Sequence, residues 1–243
     1  MAVNEVLERR TFERRFFLFA AIAFAAITFI GFARTYYLVP VIGGAPLRWV
    51  AHVHGVLMTL WVLLFGAQVF LIRTKRVQTH MRMGWAAVGL AVAILPAGFL
   101  TAIYATKYGN SPSTPPDIPP LSFMLIPMAD LVMFVIFFSA AIYFRKSPAE
   151  HKRLMLLTAL NFLPPAVARI PIPELQAFGP LWFFGFPALL FIAAIVIDTK
   201  RTGRLNRVFL IGGVLWIVAM FGRLPLSESG AWLGVAEWLV TVF

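Results

Sequence analysis

The chain contains no cysteine. Disulfide frameworks, thiolate metal sites, iron–sulfur clusters and cysteine nucleophiles are therefore excluded. It is also poor in charge. Asp, Glu, Lys and Arg make up 13% of its 243 residues, against roughly 25% in soluble domains. Acidic residues are the scarcest, 10 against 21 basic ones. The last apolar run has no lysine, which excludes a retinal Schiff base there. Serine is sparse in the apolar runs, which argues against an intramembrane serine protease. No His-Glu-x-x-His sequence occurs, and Gly43-Gly44 and Gly212-Gly213 lack the context of a phosphate or dinucleotide loop.

What remains is apolar. Hydrophobic residues make up 60% of the chain, and the mean hydropathy is +0.85. A chain of this composition cannot hide its apolar surface from water, so the bilayer must be its solvent. A helical span needs roughly 20 mostly apolar residues. About seven such runs are legible, at 16–38, 48–72, 83–106, 121–144, 152–171, 177–197 and 208–223. The fifth is the weakest, because it contains Asn161, Pro164 and Pro165. The first follows a charged stretch, Glu5 to Arg15, and is too long for a signal-peptide core, so it reads as a retained span. The stretch 231–243, with Trp232 and Trp238, is too short to span and suits the membrane interface.

The net charge of +11 would suggest nucleic acid in a soluble protein. Here the charges fall in short loops, facing lipid headgroups, and no nucleic-acid partner is expected. Lys and Arg number 4 in each of 1–15, 73–82, 145–153 and 198–207, but 2 in 34–48 and 1 in each of 107–120, 169–180 and 223–243. The alternation predicts an N-in, C-out topology. The expectation is thus an all-α, polytopic membrane helix bundle of seven transmembrane helices, a single domain over 1–243. The loop at 107–120 reads as external and extended. His80-Met81-Arg82-Met83 and His151-Lys152-Arg153-Leu154 open the third and fifth spans alike. They suggest that spans two–three and four–five are similar hairpins.

Polar groups deep in a span are costly and often functional. His52 and His54 open the second span, roughly 6–9 Å inside its outer boundary. Two residues apart on a helix, they point to different sides. Asp130 is the one acidic residue well inside a span, at about 13 Å depth. An unpaired carboxylate there needs a partner, and His54 and Arg169 are the candidates, although Arg169 could instead snorkel to the surface. Asn161 lies mid-span before Pro164-Pro165, and Pro96, Pro127 and Pro187 interrupt three further spans. Broken helices often line a cavity or a cofactor, but prolines are also routine as simple kinks. His80 and His151 lie at the cytoplasmic boundary. They suit headgroup anchoring, or a pair that binds a cofactor or hydrogen-bonds a nearby loop. Thr59 and Gln68 could bridge helices. Tyr36, Tyr37, Trp49, Trp85 and Trp182 read as interfacial anchors.

The pattern His52-Val-His54-Gly55…Trp61…Leu64-Phe65…Gln68, then Arg76…His80-Met-Arg82-Met-Gly84, His151-Lys-Arg153-Leu-Met155 and Arg169 resembles a widespread family of multi-span bacterial inner-membrane proteins. The likeness runs from Gly31-Phe32-Ala33-Arg34-Thr35-Tyr36-Tyr37 to the last span. It implies a fold and a location, the bacterial inner membrane, but no activity. More distantly, His54-Gly55 followed by Trp61 is similar to the opening helix of cytochrome b561-like proteins. That likeness implies haem held by histidines on different helices. Four histidines, two adjacent and two at the opposite face, depart from a two-haem pattern.

Three functional readings follow. The first is a redox protein binding haem b or a quinone through His54, His52, Asp130, Arg169 and Asn161. In it His54, His80 or His151 is a candidate ligand for haem iron. The second is a non-enzymatic accessory or scaffold subunit, in which these groups form a structural network. The third is a small transporter. Expected partners are membrane lipids, other membrane subunits or a second copy of the chain.

Overall fold

The computed structural model describes residues 3–43, 46–109 and 118–243, with side chains from Thr11 onward. Among these residues the regular structure is helical throughout. Apolar surroundings leave a backbone no water to bond, so each segment must satisfy its own N–H and C=O groups as helix.

The order is α1 (Val3–Phe32), a π-helical turn (Ala33–Tyr37), α2 (Val39–Ile42), α3 (Trp49–Arg73), α4 (Val77–Tyr108) and α5 (Pro120–Tyr143). A 3-10 turn (Phe144–Lys146) leads to α6 (Pro148–Asn161) and α7 (Leu163–Ala168). The remainder is α8 (Pro173–Gln176), α9 (Pro180–Phe183), α10 (Gly185–Thr202), α11 (Arg207–Ser227) and α12 (Gly230–Val242). Local chemistry sets several ends. Pro120, Pro148 and Pro180 start α5, α6 and α9, where a missing N–H costs nothing. The Asn206 side chain accepts from the Phe209 N–H at 2.8 Å to cap α11.

Six segments are long and apolar enough to cross a membrane: Thr11–Tyr37, Trp49–Arg73, Val77–Tyr108, Pro120–Lys146, Pro180–Thr202 and Arg207–Ser227. The expected fifth span is the exception. It divides at Phe162 into α6 and α7, each too short alone. Pro164 and Pro165 supply no N–H to the carbonyls four residues earlier, and the helix restarts with them in its first turn. Pro96 and Pro127, by contrast, lie within unbroken helices, and Pro187 sits in the first turn of α10. The loop expected at 107–120 falls largely outside the described residues.

The helix α5 is the axis of the bundle. It packs on α4, α6, α11 and α12, and half of its most apolar stretch is buried. An aromatic stack of Trp61, Phe134, Phe138 and Phe162 fills the centre, with ring centroids 4.8 to 5.6 Å apart. The pairs α3–α4 and α5–α6 are the two most extensively packed. His80 and His151 each stand in the first turn of the second helix of a pair.

At that end of the bundle Arg153 on α6 makes a bidentate ion pair with Asp198 on α10. Nε donates to Oδ2 at 2.9 Å and Nη2 to Oδ1 at 2.7 Å. Both side chains are almost fully buried, at 4% and 5% exposure. The helix α12 does not lie flat across the bundle end. It turns back along α4 and α5, burying Ala236 and Leu239. The Trp232 indole donates to the Leu121 carbonyl at 2.9 Å, and Phe243 reaches Phe99.

Candidate functional site

At the opposite end, α1, α3, α4, α5 and α7 enclose a cavity of about 240 Å³. The first span ends in the π-helical turn, closed by the Leu38 N–H on the Ala33 carbonyl at 2.7 Å. π-turns occur often at functional sites because they re-aim side chains. Here Thr35, Tyr36 and Tyr37 all line the cavity. The Tyr36 hydroxyl donates to the His52 carbonyl at 3.3 Å. The Tyr37 and Thr59 hydroxyls share a hydrogen bond of 2.9 Å, and Thr59 donates onward to the Gly55 carbonyl at 2.7 Å. Thr59 thus bridges two segments. A Cβ on Gly55 would stand 2.4 Å from the Tyr36 ring, so only glycine admits the tyrosine there.

His54 turns into this cavity, and its ring edge rests on Gly98 of α4, 3.3 Å from where a Cβ would be. His52 is exposed and faces Tyr36 from outside. The two histidines therefore do different things, as their spacing requires. Asp130 and Arg169 share the cavity with His54. Arg169 does not snorkel. Its Nη1 donates to the Pro165 carbonyl at 2.6 Å and its guanidinium lies 4.5 Å over the Phe32 ring. Asn161 stands just behind the wall, where its amide donates to the Asp130 carbonyl at 2.8 Å. The broken helix is thereby tied to the acidic residue.

The expected partner of Asp130 needs correction. Neither His54 nor Arg169 holds it. Arg223 of α11 does, with Nη1 2.6 Å from Oδ1. The side chains are 2% and 5% exposed. Arg223 also donates to the Ile126 carbonyl at 2.9 Å and the Ala219 carbonyl at 3.2 Å. Its place at the end of the seventh apolar run made it look like a loop charge. A last run extended past it, to Ser227, would have put a cation at membrane depth and invited the pairing. The anchoring tyrosines are likewise cavity residues, and Trp182 bonds inward to the Val167 carbonyl at 3.1 Å. Trp49 and Trp85 are exposed, as anchors would be.

Among the described residues, four that line the cavity each carry a buried polar atom without a hydrogen-bond partner: Thr28 Oγ1, Thr35 Oγ1, His54 Nδ1 and Asp130 Oδ2. Buried polar groups are costly when unsatisfied, so their clustering points to a ligand that satisfies them. The rest of the wall is mostly apolar and aromatic. Hydroxyls and a neutral imidazole can each donate or accept. The cavity therefore offers donors and acceptors in mostly apolar surroundings. Its volume lies just below the range of about 300–1,000 Å³ typical of drug-sized ligands.

His80 and His151 come together at the other end, edge to face with centroids 6.3 Å apart. His151 Nδ1 bonds the Ala141 carbonyl at 2.8 Å. Gln68 Oε1 and His80 Nδ1 are buried without partners, so Gln68 does not bridge through its oxygen. No group of three or more His, Asp or Glu that could hold a metal ion occurs among the described residues. Comparison with models of known families, with curated proteins and with solved structures returned no match.

Proposed function

We propose that the chain is a seven-span bacterial inner-membrane protein, N-in and C-out, that binds the headgroup of a quinone in the cavity around His54. The seventh span is α6 and α7 taken together across the Phe162 break. The charge alternation supports the orientation, and more strongly once Arg169 and Arg223 are removed from the loops. Only Arg34, Arg48 and Lys107 then remain on the outer side.

The observation that carries the binding reading is the set of four unpartnered polar groups on residues that line one mostly apolar chamber. A quinone has two carbonyl oxygens on opposite edges of a ring. His54 and the threonine hydroxyls supply donors, and Asp130 Oδ2 supplies a carboxylate where a reduced quinone would present a hydroxyl. Arg223 holds that carboxylate in place through its other oxygen. Electrons would come from a partner subunit. A bis-histidine haem fits less well. His54 is the single histidine in the cavity wall, and His80 and His151 are at the far end, one of them already bonded to Ala141.

The test is extraction of protein purified in mild detergent, with oxidised and dithionite-reduced spectra of the same sample. Quinone is expected in the organic extract of the wild type and of His52→Ala. It is expected to be lost from His54→Ala. A Soret band that sharpens on reduction, or an extract free of quinone, would overturn the reading. The broken α6–α7 helix beside Asp130 favours transport as a second reading. Proton flux in proteoliposomes that Asp130→Asn abolishes would select it.

A further inference from the structure

The headgroup chamber has a neighbour. On the outer surface of the α4–α5 seam runs a groove lined by Leu95, Pro96, Phe99, Leu131, Val132 and Val135, whose exposed surface is entirely apolar. One residue, Leu131, belongs to both walls. Its side chain lies over Gly98, with Cδ2 2.9 Å from where a Cβ would stand, and the His54 ring edge lies at 3.3 Å from that same point. Three things therefore meet at Gly98: the histidine of the chamber, a single leucine side chain, and the groove beyond it. The seam above is shut. Trp232 and Phe243 of α12 cover it from Leu121 down to Phe99. Below Phe99 it is open, and Val132 and Val135 are 58% and 41% exposed.

Resting on the quinone reading, we infer that the natural ligand is a long-tailed, membrane-resident quinone, whose tail leaves the chamber past Leu131 and lies in the α4–α5 groove. A chamber of about 240 Å³ holds a ring and its substituents but no polyprenyl chain. A tail must therefore leave it. Leu131 is the one side chain that both walls share, and the groove beyond it exposes only apolar surface. Leucine is fitted to such a gate because its terminal methyls move while its backbone stays in the helix. The site would then select for quinones dissolved in the bilayer over water-soluble rings of the same head chemistry.

The experiment uses the full chain in lipid nanodiscs and a quinone carrying a photoreactive diazirine on its tail. After illumination, the labelled peptides are mapped by mass spectrometry. Binding of a short-tailed quinone is measured in parallel. Label on 95–99 and 131–135, displaced by excess unlabelled long-tailed quinone, is the expected result. Val132→Trp, at an exposed position that leaves the core intact, is expected to remove this label while short-tailed quinone still binds. Label on other helices, or label at the groove that excess quinone does not displace, overturns the inference and leaves the headgroup site standing. The undisplaced case marks an ordinary lipid chain in the groove. Absence of binding by either quinone overturns both the inference and the reading beneath it.

Discussion

Asp130→Asn removes the charge that Arg223 faces and leaves a guanidinium 2% exposed with carbonyl partners at Ile126 and Ala219. Breaking a buried ion pair from one side costs about 3–5 kcal/mol, because the surviving charge is desolvated without its counter-charge. Asn keeps one acceptor oxygen of similar shape. A hydrogen bond from a charged donor retains about 1.5–3 kcal/mol, so Asp130→Asn should cost about 2 kcal/mol and Asp130→Ala about 3–5 kcal/mol. Arg223→Met should also fall in the range of about 3–5 kcal/mol. The double variant Asp130→Asn/Arg223→Met carries no buried charge at this contact. It should be more stable than the sum of the singles by about 2–3 kcal/mol, the upper end of measured couplings between contacting residues. The assay is reversible unfolding in mixed detergent micelles, for the wild type, both singles and the double. Added salt should leave the differences unchanged, since water and ions do not reach the pair. Additivity within about 0.5 kcal/mol would refute the claim that this contact is a desolvated, mutually dependent pair.

Three shorter predictions follow from the same structure. Asp198→Ala strands Arg153 at 4% exposure and should cost about 3–5 kcal/mol in the same unfolding assay. Glu13→Gln, by contrast, breaks a pair with Lys152 whose side chains are 28% and 25% exposed, and should cost less than about 1 kcal/mol. Gly55→Ala drives a methyl into the Tyr36 ring. It should destabilise by about 1–3 kcal/mol and lower the quinone extracted. Tyr36→Ala combined with it should recover the stability, because the ring that clashed is gone.

Six of the seven expected spans were readable because apolar runs of the right length are a one-dimensional property. The basic loops were readable for the same reason. The division of one span at Phe162 was foreshadowed by Asn161 and the two prolines, although its exact place depended on where the helix could restart. Of the site, His54 and Asp130 were legible as polar groups at similar depth and Arg169 as a cation near the outer end of its span, and all three line one cavity. What stayed hidden was pairing. Asp130 and Arg223 are 93 residues apart, and Arg153 and Asp198 are 45 apart. Nothing in local pattern says which distant charge a given one will meet. The tyrosines, expected as interfacial anchors, also line the cavity. They stand in a π-turn, and no residue in Ala33–Tyr37 announces it.

The two buried ion pairs also set a timetable. Chains grow at about 5–20 residues per second. Arg153 is made before Asp198 exists, so it waits roughly 2–9 s for its counter-charge. Asp130 waits roughly 5–19 s for Arg223. During those seconds α5 and the first half of a broken helix have left the ribosome with charges that nothing in the chain yet neutralises. The early helices can insert on their apolar runs alone. The cavity is lined only by residues up to Arg169, but the group that holds Asp130 arrives with α11, so a chain truncated before Arg223 would leave that carboxylate without its counter-charge.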